Sequence, residues 1–140
     1  MQFKTTITYL AILMAMASCK KEEARSIIYT INSVDSSGIY ARVKGTEHNN
    51  KTTININLIN IKDFSSFDVH FHEGPPASYK GYAPYTFHNI RGSQNIASPG
   101  IEQDIEMKYD NFIQFDGTCV VHPSGQSNVI AKGGIGKNAQ

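Results

Sequence analysis

The chain has almost no cysteine. Of its 140 residues only Cys19 and Cys119 carry a thiol, which excludes the small scaffolds held together by several disulfides. It has no basic cluster either: 13 Lys and Arg are scattered singly against 12 Asp and Glu. A protein that grips nucleic acid gathers positive charge on one face to release counterions from phosphate, so that class is set aside. No apolar run is long enough to stay in a membrane. The longest, residues 7–17, falls well short of the roughly 20 residues a spanning helix needs and soon meets Lys20, Lys21, Glu22 and Glu23. No convincing amphipathic helix is present, and no glycine-rich phosphate loop leads from a strand into a helix. Asp35, Asp63 and Asp68 lack EF-hand spacing, and spacing proposes no Ser-His-Asp triad.

What is present begins with an export signal. A short basic start, the apolar run and the small pair Ala17-Ser18 read as a signal peptide over residues 1–18. Met16-Ala17-Ser18-Cys19 resembles a bacterial lipobox, with Met where Leu is usual, which makes Cys19 the expected lipidation site. The expected location is therefore the cell envelope, lipid-anchored at the periplasmic face or the cell surface. Residues 19–25 read as the lipidated Cys19 and a charged tether, and residues 26–140 as one domain, long enough for its own core. With Cys19 lipidated, Cys119 has no partner in the chain.

Strand signals fill the domain. Residues 26–33, 38–44 and 52–61 are rich in Ile, Tyr, Val and Thr and are separated by turn clusters at 35–38 and 48–51. In the third, Ile54, Ile56 and Leu58 alternate with asparagines closely enough to bury one face. Residues 67–72, 101–108 and 118–122 read as later strands. Short strands at this spacing predict an all-β Greek-key sandwich or barrel. Residues 74–100 form a long stretch of Gly, Pro, Ser and aromatics without regular patterning, and such loops tend to be functional. Its Tyr79, Tyr82, Tyr85 and Phe87 are read as pins that hold the loop to the core.

His70 and His72 stand two apart in a predicted strand and so project from one face, where two imidazoles can converge on an ion. Such a pair suits Zn, Cu, Ni or Fe. His88 follows in the irregular segment, and His122 ends the run Cys119-Val120-Val121.

The order of these motifs resembles the Cu,Zn superoxide dismutase family over most of the mature chain, about residues 26–137. His70-Phe71-His72-Glu73 is similar to the strand that carries two copper ligands in that family. Gly117-Thr118-Cys119-Val120-Val121-His122 is similar to the strand ending in another, with Ala131-Lys132-Gly133-Gly134 echoing the glycine-rich segment beyond. Pro84-Tyr85-Thr86-Phe87-His88 places His88 as the bridging histidine. The resemblance implies a superoxide dismutase-like fold, copper held by His70, His72, His88 and His122, His88 as the catalytic bridging ligand, and superoxide as substrate.

The departures are specific. Residues 89–121 contain no histidine, which argues against the family's zinc site. The loop disulfide is missing, and so, by this reading, are the active-site arginine and a last apolar strand, which would leave an open sheet edge for pairing into a homodimer. Glu102, Asp104 or Asp110 are candidates to orient His88 in place of zinc, and Arg91, Lys132 or Lys137 to replace the arginine. Two rivals accompany the enzyme reading: a lipoprotein that holds or delivers copper without turnover, and an interaction lipoprotein without metal.

Overall fold

The elements follow in chain order as β1 (Ser26–Ile31), β2 (Tyr40–His48), β3 (Lys51–Ile59), β4 (Ser66–Glu73), β5 (Tyr85–Arg91), β6 (Ile101–Ile105), α1 (Tyr109–Ile113), β7 (Asp116–Pro123) and β8 (Ala131–Gly136). They come from a computed structural model that describes residues 23–62, 65–91 and 100–139. The predicted signal peptide, Cys19 and most of the tether lie outside those residues. Among the described residues, no helix is long and apolar enough to cross a membrane.

Period-two alternation builds the sheets. In β3, Thr52, Ile54, Ile56 and Leu58 are buried while their neighbours are not, and β2 turns Ala41, Val43 and Gly45 to the same side. The turn between them is Asn49-Asn50, both with positive φ (44° and 67°), a conformation asparagine tolerates and a two-residue hairpin demands. Two antiparallel four-stranded sheets result, ordered β1-β2-β3-β6 and β5-β4-β7-β8. They form a β-sandwich. Its core joins Ile31, Val43, Ile54 and Ile56 of one sheet to Val69, Phe71, Phe87, Val121 and Ile135 of the other.

Three elements depart from the sequence reading. β5 lies inside the stretch expected to be irregular. It carries a bulge, so the inward residues Phe87 and Ile90 are three apart and the alternation is hidden. α1 is a single short turn of helix, which buries Tyr109 and Phe112 but is too brief to show periodicity. β8 corrects the expectation of a missing last strand: the glycine-rich segment itself pairs with β7 along its whole length. Gly134 is needed there because a Cβ would sit 1.9 Å from the Asn138 carbonyl oxygen. The open edge expected at this end is partly taken by the chain's own backbone. Lys132 N–H donates to Asn32 O at 3.0 Å, Val34 N–H donates to Ile130 O at 2.9 Å, and Ser33 bridges Ala131.

Arg25, read as tether, donates to both carboxylate oxygens of Glu47 and to Asp110, and its guanidinium lies 4.9 Å from the Tyr109 ring centroid.

Candidate metal centre

Strand parity decides which β4 side chains leave the core. Phe67, Val69 and Phe71 are buried, so Asp68, His70 and His72 share the outer face of their sheet. The register to β7 sets Asp68 opposite His122, His70 opposite Val120 and His72 opposite Thr118. On the other side, His70 faces Thr86 of β5. The bulge then inserts His88 and Asn89 opposite the single residue Asp68, with Asn89 at φ 54°. Three strands thus deliver Asp68, His70, His72, His88 and His122 to one patch.

The patch has a centre and a rim. The rings of His70 and His122 stack with centroids 4.8 Å apart, whereas those of His72 and His88 lie 5.8 and 6.3 Å from His70. Ligand atoms of Asp68, His70 and His122 all fall within 4.8 Å of one another. Of the four predicted histidines, the structure therefore brings His70 and His122 together, while His72 and His88 flank His70 outside that closest group. Asp68 is absent from the predicted set. Its signal was the same alternation that marks His70 and His72, one step earlier in the strand.

Hydrogen bonds prepare the rings for coordination. The Nδ1 of His72 lies 2.8 Å from Lys80 O and that of His122 lies 3.0 Å from Pro123 O. A carbonyl only accepts, so Nδ1 is the protonated nitrogen, and in the neutral tautomer Nε2 is the one left to bind a metal. His70 Nδ1 lies 3.1 Å from Thr86 Oγ1. Burial, then repulsion from His122 and His72, moves the His70 pKa below its ordinary value, which favours the neutral, ligating ring. Asp68 Oδ1 accepts the Asn89 N–H at 3.0 Å and the Ser124 hydroxyl at 2.8 Å, and Oδ2 lies 3.5 Å from His88 Nδ1. Burial opposes ionisation of Asp68, but these donors together outweigh it and hold the carboxyl below the usual range. Neutral imidazoles with an anionic oxygen are a donor set for a divalent transition metal, so the residues present fit one.

The predicted irregular segment supplies the surroundings. Thr118 Oγ1–H donates to Gly74 O at 2.6 Å, and Tyr79 packs on His72 with centroids 4.8 Å apart. Val120, on the outer face between His70 and Lys132, is only 3% exposed and floors the patch. Phe87 is in the core and Tyr85 packs against it, as expected of pins, whereas Tyr82 is exposed.

The charged candidates sort by position. Lys132 shares the outer face, with its Nζ 5.7 Å from the Tyr79 ring centroid. Arg91 stands opposite Ser66 at the end of β5. Lys137 is engaged by Asp116 at 3.0 Å. The carboxylates expected to orient His88 are elsewhere: Glu102 and Asp104 lie on β6 in the other sheet, and Asp110 pairs with Arg25. Asp68 occupies that position instead. Compared with protein-family models, curated proteins and solved structures, the chain matches none.

Proposed function

We propose that this chain is an envelope lipoprotein similar to the Cu,Zn superoxide dismutases, which binds copper on the outer face of its β5-β4-β7-β8 sheet and dismutates superoxide to oxygen and hydrogen peroxide. The observation that carries the reading is the convergence of four histidines from three strands on one patch, with His70 and His122 in ring contact. The two strand orders, with β3 to β4 and β5 to β6 crossing between sheets, support a Greek-key path like that of the family.

His70, His72, His88 and His122 are the residues that would hold the copper. When bound, copper supplies one-electron chemistry, taking an electron from one superoxide and giving it to the next. The chain's own residues set the conditions. Lys80 O and Pro123 O fix the tautomers of His72 and His122. Asp68 orients His88, whose side chain is 64% exposed to water. Lys132 offers a positive charge beside the histidine face, where it favours approach of an anion.

A second reading, copper holding without turnover, is favoured by Asp68, because a carboxylate among the imidazoles works against an anionic substrate. The rate of superoxide removal per bound copper separates the two. Decay well above that in buffer supports the enzyme. Stoichiometric copper with decay no faster than buffer leaves only the holder.

A further inference from the structure

We propose that Asp68 is itself a metal ligand, so that the centre is a mixed carboxylate and imidazole site built on Asp68, His70 and His122. The proposal rests on the reading of this patch as a copper site and changes its chemistry.

The backbone favours this assignment. Asp68 and His122 are directly opposed partners in the β4–β7 ladder, and His70 is two residues along β4 on the same face. Those relations are set by strand register, and they place one ligand atom from each residue within 4.8 Å of the other two. His72 lies outside this closest group, its ring centroid 5.8 Å from that of His70. The carboxylate is also held ready. Oδ1 takes both close hydrogen bonds, from Asn89 N–H and Ser124 Oγ–H, and Oδ2 has only the longer contact to His88. Asp68 has 13% of its side-chain surface exposed, so little solvent need be displaced for it to bind an ion.

A carboxylate in the donor set brings negative charge that four neutral imidazoles lack. It therefore favours Cu(II) over Cu(I), and it admits other divalent ions that accept nitrogen and oxygen ligands.

The test uses Cu(II) alone as the probe. The protein is prepared with its aspartate carboxyl carbons labelled with 13C, loaded with Cu(II), and examined by pulsed electron paramagnetic resonance. The proposal expects a 13C coupling of directly bound carboxylate size, lost in Asp68→Asn. It also expects Cu(II) affinity to fall in that variant by at least the roughly 10–100-fold that loss of a mere outer-shell partner costs. Asp68→Asn keeps an acceptor for Asn89 and Ser124, and the labelled parent gives its answer without any variant. If the parent binds copper with no such coupling and Asp68→Asn binds it equally well, Asp68 is not a ligand, while the copper reading stands. If the parent binds no copper, both fall.

Discussion

The imidazole of His70 lies flat on that of His122, with centroids 4.8 Å apart and planes 11° from parallel. The contact joins β4 to β7 across a sequence gap of some fifty residues. Burial disfavours a charged ring there, and two protonated rings would repel each other, so the packing favours a neutral His70.

That preference predicts the pH dependence of the metal-free protein. The folded pKa of His70 lies below the ordinary 6.5. Between those two values the unfolded chain binds more protons than the folded one, so stability declines as pH falls below about 6.5 and levels off beneath the folded value. Urea midpoints across this range should show the decline in the parent and a smaller one in His70→Gln. Equal slopes in the two proteins would remove His70 as the cause.

Cys119 should behave as an inert thiol. It is fully buried, and burial pushes its pKa far up, so neither thiolate nor access is available. A thiol reagent should label the folded protein at Cys119 only as fast as the domain opens, and promptly in denaturant. Fast labelling of the folded state would contradict this packing.

Gly45 gives a test of the fold away from the centre. A Cβ there would fall 2.3 Å from the ring of Phe112, which is itself fully buried. Gly45→Ala should therefore cost about 1–3 kcal/mol, the range for an overpacked core, read as a lower denaturation midpoint. Copper binding at the far sheet should persist in the folded variant.

What could be read from the residues and what could not divide along physical lines. The alternation of β3, the Asn49-Asn50 turn and the shared face of His70 and His72 are local properties, and all were visible in the sequence. β5 was hidden because its bulge breaks the alternation, and β8 because glycines chosen for close packing against Asn138 and Ile31 carry no strand propensity. The position of Asp68 opposite His122 depends on the register between β4 and β7. No local pattern states that register or the bulge that sets His88 beside Asp68, which is why the sequence offers Glu102, Asp104 and Asp110 as partners for His88 instead.

The proposed anchor makes a separate prediction. If Cys19 carries lipid, the protein should partition with membranes and be released by detergent, and Cys19→Ser should leave it soluble in the envelope fraction or uncleaved. Incorporation of labelled fatty acid that is unchanged in Cys19→Ser would contradict the lipid assignment.

The central claim is that the histidine face of the β5-β4-β7-β8 sheet holds copper, and the most direct measurement is the copper-to-protein ratio after loading with Cu(II) and removal of excess. The account predicts one copper per chain in the parent and in His48→Ala, whose histidine sits apart on the other sheet beside Asp104. It predicts essentially none in the double variant His70→Ala, His122→Ala. An empty parent, or a double variant that retains its copper, would contradict it.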